Sequence, residues 1–119
     1  MYNLFNDLKK GAVVWANFKG DEDSYVQSGE RPAIIISNDK ANENSPVVTV
    51  APLTSAKRKY LPVHVPVYTQ GNELRLKTLC LVEQMRTLDK KDIIKYISQV
   101  TDDCLAKIDE AIKIQLALQ

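Results

Sequence analysis

Apolar and polar positions divide the chain into a strand-rich first part and a helical end. Five runs have the β-branched or alternating character of strands, at residues 11–18, 32–37, 46–53, 61–67 and 77–83. The apolar run 33–36 does not alternate, which predicts a strand covered on both faces. Pro52 predicts that the third strand ends at a sheet edge or bulge, so that Thr54 lies at a strand end.

The segments between and after these strands predict one turn-rich connection and two helices. Residues 38–45 are rich in turn formers and predict an irregular connection. Asp89 predicts the N-cap of a short helix, and Thr101 that of the C-terminal helix. Their apolar positions are Ile93, Ile94 and Ile97 in the first, and Leu105, Ile108, Ile112 and Leu116 in the second. Strands followed by helices favour a β-rich α+β barrel over alternating βαβ units.

Composition narrows the class of protein. A length of 119 residues suits one domain, 1–119. Sixteen basic against fifteen acidic side chains exclude a uniformly basic nucleic-acid binder but allow a local patch at residues 57–59 (KRK). Cys80 is expected to pack as a small hydrophobe, Cys104 lies near a helix start, and neither belongs to a cysteine and histidine cluster, so we expect no metal or other cofactor.

The N-terminal segment and the longest apolar runs bear on where the protein acts. Residues 1–7 lack the apolar core of a signal peptide, and no segment approaches the ~18 apolar residues that span a bilayer. We therefore expect a cytoplasmic protein with no membrane partner.

Arg31 is the first candidate for chemistry. Pro32 favours an extended conformation at Arg31, which predicts that the arginine lies where a polar loop becomes a rigid strand. A guanidinium offers five donors, and their geometry suits phosphate. The alternative is a surface salt bridge to Glu22 or Asp23, which for a lone arginine is the simpler interpretation.

Hydroxyl groups and the only histidine supply further candidates. Thr54 and Ser55 lie at a strand end before the basic patch, and can contact a nucleic-acid backbone, although Ser55 can equally serve ordinary turn chemistry. His64 alternates with Val63 and Val65, so it is predicted to face solvent or a groove, either as a plain surface histidine or as a substrate contact.

The end of the fifth strand combines charged and amide side chains. Glu83 and Arg86 favour a structural ion pair at the joint between strand and helix. Gln84 points the other way from Glu83 and can reach a base edge or a backbone group. The chain contains no P-loop, no Gly-x-Ser-x-Gly elbow and no His-Glu-x-x-His motif, so those nucleotide, serine and zinc hydrolases lose support.

Five blocks, in order, resemble the MazF/PemK family of toxin endoribonucleases over residues 9–118. They are 10–16 (KGAVVWA), 29–32 (GERP) with 34–39 (IIISND), 45–54 (SPVVTVAPLT), 61–65 (LPVHV) and 83–90 (EQMRTLDK). The resemblance implies a small SH3-like (CcdB/MazF-type) barrel with a short helix and a C-terminal helix, paired into a homodimer. It also implies that Arg31 and Thr54 are the catalytic residues, which reverses the preference for a salt bridge at Arg31.

The activity that the resemblance implies is metal-independent, sequence-specific cleavage of single-stranded mRNA. The 2′-hydroxyl attacks the adjacent phosphate and leaves 2′,3′-cyclic phosphate and 5′-hydroxyl ends. Expected partners are RNA, a cognate antitoxin and, with that antitoxin, operator DNA. Loop 20–28 is more acidic than is common in the family, so the cleavage sequence is open; Gln27 and Ser28 are the predicted substrate contacts there. The alternative is a non-catalytic barrel toxin that binds a protein such as DNA gyrase.

Overall fold

The computed structural model of the protein describes residues 8–20, 25–56, 59–71 and 78–119. Within these ranges the chain forms, in order, β1 (Ala12–Phe18), β2 (Gly29–Ile35), α1 (Asp39–Asn44), β3 (Val47–Thr54), β4 (His64–Pro66), β5 (Leu79–Leu81), β6 (Arg86–Asp89), β7 (Ile93–Gln99) and α2 (Asp102–Gln115). Two 3₁₀ turns, Val82–Gln84 and Lys90–Asp92, lie before and after β6. The strand-rich prediction with a C-terminal helix is confirmed.

The described strands form one antiparallel sheet in the order β4-β5-β3-β2-β1-β7, with β6 also paired to β3. On the side away from β2, β3 pairs with β6 over residues 47–50 and with β5 at Leu53 and Thr54. Pro52, which has no N–H to donate, lies between these two ladders. Of the predicted sheet edge or bulge at Pro52, the sheet edge is wrong, because β3 is a central strand that changes partner there. The result is an open, SH3-like barrel architecture.

Both faces of the central strands are buried, as the unbroken apolar run predicted. Ala33 and Ile35 pack in one cluster with Phe18 of β1. Ile34 packs on the opposite face, in a second cluster that includes Ile108 of α2. Successive side chains of a strand point to opposite faces, so one short run contributes to two layers of the core.

Residues 38–45 were predicted to be irregular, but they contain α1. The Asn38 side chain accepts the Ala41 N–H at 2.8 Å, and Asp39 places a carboxylate in the first turn. The buried Asn42 side chain donates to the Ser37 carbonyl at 2.9 Å. The residue types that favour turns also favour helix N-caps, which is why composition alone did not reveal this helix.

The predicted helix through Ile93, Ile94 and Ile97 is also wrong. Asp89 does cap a turn, since its side chain accepts the Lys91 N–H at 3.0 Å, but only one 3₁₀ turn follows. Ile93 then begins β7, which pairs with β1. The β-branched isoleucines suit a strand, and the edge of β1 offers backbone partners that a local pattern does not reveal.

The remaining differences concern the ends of elements. β2 begins at Gly29 and not at Pro32, and β4 and β5 are shorter than the predicted strands. The capping prediction for the C-terminal helix is confirmed, because Thr101 accepts the Cys104 N–H at 3.2 Å. Leu116 lies after the last residue of α2 and is exposed, so it does not continue the buried face.

Candidate active site

Arg31 is the third residue of β2, inside the strand and not at its joint with the loop. It lies opposite Ala16 of β1 and is half-buried. Gly29 starts the strand with a φ of 82°, a conformation that glycine adopts without steric cost. The strand therefore holds the Arg31 backbone, and only the outer part of its side chain has conformational freedom.

The guanidinium of Arg31 contacts the loop that precedes its own strand. Its Nε and Nη2 donate to the Ser28 carbonyl at 3.0 and 2.7 Å. Its Nη1 donates to the side-chain Oε1 of Gln27. The structure therefore brings together Arg31 and both predicted loop contacts. Glu22 and Asp23, the candidates for a salt bridge, lie outside the described residues.

Thr54 ends β3 next to β2. The paired residues of these strands run from Ala33 with Pro52 to Ile35 with Val50, so Arg31 and Thr54 each lie two positions beyond the last pair, on adjacent strands. Alternation along each strand puts both on the face that Ala33 and Pro52 share. Thr54 is 8% exposed, and its Oγ1 accepts the Ala56 N–H at 3.2 Å. A hydroxyl that accepts one bond keeps its own O–H for donation.

Gln84 reaches the same loop from the 3₁₀ turn after β5. Its Oε1 accepts the Gln27 N–H at 2.7 Å, and its Nε2 donates to the Tyr25 carbonyl at 3.5 Å. Both contacts are with the main chain of the protein itself, and the contact predicted between Gln84 and the substrate stays a prediction. Ser55 follows Thr54 and is exposed.

His64 does not face solvent, so that part of the prediction is wrong, although the residue does line a groove beside Tyr60 and Pro62. It is 2% exposed, its Nδ1 accepts the Leu61 N–H at 3.1 Å, and its Nε2 lies 2.9 Å from Oε2 of Glu83. The backbone donor at Nδ1 assigns the proton to Nε2, which donates to the carboxylate. The alternating pattern implied that only the face with Val63 and Val65 is buried. In the structure Val63, His64 and Val65 are all buried, so both faces of the strand are covered at this point.

The predicted ion pair between Glu83 and Arg86 is not formed. Glu83 bonds to His64, and its Oε1 is buried without a hydrogen-bond partner among the described residues. Arg86 donates from Nη2 to the Lys19 carbonyl at 2.9 Å, and its guanidinium carbon lies 5.4 Å from the centre of the Phe18 ring. The spacing of residues along the chain could not have identified the partners of Glu83 and Arg86, because those partners lie in distant segments.

Other predicted features of the chain lie apart from these contacts. Lys57 and Arg58 fall outside the described residues, and Lys59 is exposed. Cys80 is buried as predicted, and burial raises the pKa of its thiol; burial also raises the pKa of Cys104. Within the described ranges, no three metal-ligating side chains cluster, and no helix has the length and hydropathy needed to cross a bilayer.

The contacts around Arg31 define a site suited to an anion. A guanidinium on one strand and a hydroxyl at the end of the next are donors that can stabilise negative charge on a phosphate. The Ser28 carbonyl and the Gln27 side-chain amide both accept from the guanidinium and so help to orient it.

Comparisons with known proteins show which family the chain resembles. A model of the PemK-like, MazF-like toxins of type II toxin-antitoxin systems matches residues 9–116. Endoribonuclease EndoA of Bacillus subtilis is 36% identical over 115 residues, which cover 93% of this chain and 96% of that protein.

Solved structures support the same relationship. The crystal structure of MazF from Deinococcus radiodurans aligns with a TM-score of 0.76 and 25% identity, over 92% of this chain and 96% of that one. A mycobacterial endoribonuclease in complex with its cognate antitoxin aligns with a TM-score of 0.71 and 26% identity, over 93% and 96% of the two chains. The chain belongs to the PemK-like, MazF-like family of type II toxin-antitoxin toxins.

Proposed function

We propose that this protein is a toxin endoribonuclease that cuts single-stranded mRNA at a short sequence without a metal ion. Family membership and the similarity to an endoribonuclease support cleavage of RNA. The observation that carries the chemistry is the pairing of β2 with β3, which brings the strand that holds Arg31 beside the strand that ends at Thr54. The ribose 2′-hydroxyl attacks the adjacent phosphate, the bond to the 5′-oxygen breaks, and the products carry a 2′,3′-cyclic phosphate and a 5′-hydroxyl.

Arg31 and Thr54 stabilise the charge that develops during this attack. Negative charge gathers on the non-bridging phosphate oxygens, and donors that are already oriented stabilise it without reorganisation. The Arg31 side chain is oriented by the Ser28 carbonyl and the Gln27 amide. The Thr54 Oγ1 accepts from Ala56, which directs its O–H away from that N–H and towards a second acceptor.

The test is cleavage of a long single-stranded RNA in EDTA, with mapping of both new ends. We expect cuts at one short sequence that leave 5′-hydroxyl and 2′,3′-cyclic phosphate ends. Arg31→Ala should lower the rate by about 10³-fold and Thr54→Ala by about 10²-fold, the range seen when one oriented donor is removed. Thr54→Ser should recover most of that loss, because it keeps the hydroxyl.

Two matched controls separate chemistry from general effects of charge or folding. Lys95→Ala removes an exposed cation from β7, and Thr87→Ala removes an exposed threonine from β6. Both should cleave at the wild-type rate. Absence of cutting by the wild type on several long RNAs, with inhibition of DNA gyrase instead, would replace the enzyme by a protein-binding toxin.

The proposed partners follow from the same family. We propose that the toxin forms a homodimer, that a cognate antitoxin restrains it in the cytoplasm, and that operator DNA is bound only together with the antitoxin. A mycobacterial relative was solved in complex with its cognate antitoxin, which supports this assignment. The dimer predicts elution at twice the 13.4 kDa mass of one chain at micromolar concentration, and a monomer would contradict it.

A further inference from the structure

Gln84, in the 3₁₀ turn after β5, and Arg86, the first residue of β6, contact the two ends of the loop that joins β1 to β2. Arg86 donates to the carbonyl of Lys19, at the start of the loop, at 2.9 Å. Gln84 contacts Tyr25 and Gln27, near its end. Two residues of one short segment therefore bind both described ends of the loop.

The amide of Gln84 has a defined orientation in this contact. The Gln27 N–H can only donate, so the atom that faces it at 2.7 Å must be the amide oxygen. The amide nitrogen then faces the Tyr25 carbonyl, which can only accept. Gln84 thus satisfies one backbone donor and one backbone acceptor of the loop with a single planar group.

Gln27 continues the contact from Gln84 to Arg31. Its backbone N–H bonds to Gln84, and its side-chain Oε1 accepts from Arg31 Nη1. The next residue, Ser28, supplies the carbonyl that accepts from Arg31 Nε and Nη2. Residues 27 and 28 therefore help to set the orientation of the guanidinium.

Gln84 itself extends from a firmly held element. In its 3₁₀ turn, Val82 is fully buried, and the Val82 carbonyl accepts the Met85 N–H at 3.1 Å. Glu83 is bonded to the buried His64 at 2.9 Å. The turn is thus attached to the core by packing on one side and by a polar pair on the other.

We propose that Gln84 is a positioning residue that acts through Gln27 and Ser28 to hold Arg31 in its reactive orientation, and that it does not read an RNA base. This role rests on the proposed function, in which Arg31 acts on the scissile phosphate. A displacement of about 1 Å in a catalytic group can cost about 10²-fold in rate. Loss of the Gln84 contacts should therefore lower kcat by about 10- to 100-fold and leave KM and the cleavage sequence nearly unchanged.

The first measurement uses the RNA-free protein. Amide hydrogen exchange by NMR should show the Gln27 N–H protected in the wild type. Gln84→Met keeps the length of the side chain but has no strong acceptor, so the Gln27 amide should exchange at least about tenfold faster. Gln84→Glu retains an oxygen for the Gln27 N–H and should keep the protection. Gln99→Met is the matched control, because Gln99 donates to the Lys10 carbonyl at 3.1 Å, away from this loop.

The second measurement is kcat, KM and the cleavage sequence for the same variants. Gln84→Met should lose kcat, and Gln84→Glu should lie between it and the wild type. A changed cleavage sequence or a raised KM with unchanged kcat in Gln84→Met would overturn the positioning role in favour of a base contact. An unchanged Gln27 exchange rate would overturn it whatever the activity, whereas absence of wild-type cleavage overturns the proposed function instead.

Discussion

Arg31 and His64 lie on strands of the same sheet, but their polar atoms have opposite surroundings. Arg31 is half-buried, and its described partners are a main-chain carbonyl and a neutral amide of a loop. His64 is almost fully buried between a backbone N–H and a carboxylate. A substrate anion can exchange places with neutral loop acceptors, whereas breaking the His64 pair would leave a buried carboxylate uncompensated. We therefore expect changes at Arg31 to affect mainly cleavage and changes at His64 to affect mainly stability.

The largest effect that tests this contrast is on the rate of cleavage in Arg31→Lys. Lysine keeps the charge but not the planar fork that bonds to both Ser28 and Gln27. Cleavage should fall by about 10²–10³-fold, and the free energy of unfolding should change by less than about 1 kcal/mol. Single-turnover kinetics and urea denaturation provide the two values. Near wild-type cleavage would mean that a positive charge alone is sufficient at this position.

His64→Ala should show the reverse pattern, with its main effect on stability. Removal of the imidazole leaves Oε2 of Glu83 and the Leu61 N–H without their partner, and an unsatisfied buried group costs about 1–3 kcal/mol. Urea denaturation should show this loss, and cleavage per folded molecule should fall less than in Arg31→Lys. The variant Glu83→Gln changes the other partner of the His64–Glu83 pair, and its stability is measured in the same way. A variant of normal stability that no longer binds RNA would restore the prediction of a substrate contact.

Stability should also depend on pH, because the thiol of Cys80 is buried beside the strand that contains His64. Cys80 pairs with Val65 of β4, and burial raises its pKa above the ordinary value of 9.0. The unfolded thiol loses its proton above pH 9 while the folded one keeps it, so stability should decrease as pH rises. For one thiol the slope is small at pH 8 and approaches about 1.4 kcal/mol per pH unit above pH 9, the ordinary pKa of the unfolded thiol. Comparing the free energy of unfolding of wild type and Cys80→Ala from pH 8 to 10 isolates this contribution. Equal slopes would contradict a buried neutral thiol.

The smallest expected effect is at the start of the arginine strand. Gly29→Ala places a side chain at a φ of 82°, which costs about 1 kcal/mol. Because Gly29 separates Ser28 from the strand, cleavage should also fall several-fold. Gly20→Ala is the matched control: among the described residues its added Cβ would meet Ser28 Cβ at 3.6 Å, an ordinary contact, and its φ is not in the left-handed region. Similar losses in both variants would rule out the special conformation as the cause.

Local patterns succeeded where a single element decides the outcome. The first and third strands, the doubly covered run in the second and the Thr101 cap were all predicted from neighbouring residues. The ordered blocks also identified the family, which the comparisons confirm. The catalytic roles of Arg31 and Thr54 remain predictions, because their location on adjacent strands does not itself measure activity.

Prediction failed where a distant partner decides the outcome. The isoleucines of residues 93–97 fit a helical pattern, but they form a strand because their backbone pairs with β1. Alternation predicted an outward His64, but the carboxylate of Glu83, nineteen residues along the chain, satisfies its ring. The contact from Gln84 to Gln27 spans fifty-seven residues, so no local spacing indicates which backbone group the amide meets.

The sequence by itself determined the strand-rich class, the capped C-terminal helix, the family and the identity of the candidate catalytic pair. Only the tertiary structure decided that His64 is buried, that residues 93–99 form a strand and that Gln84 contacts the loop beside Arg31. Periodicity and capping depend on residues within one or two turns of each other. Burial and hydrogen-bond partners depend on which segments the folded sheet brings together, and that is a property of the whole chain.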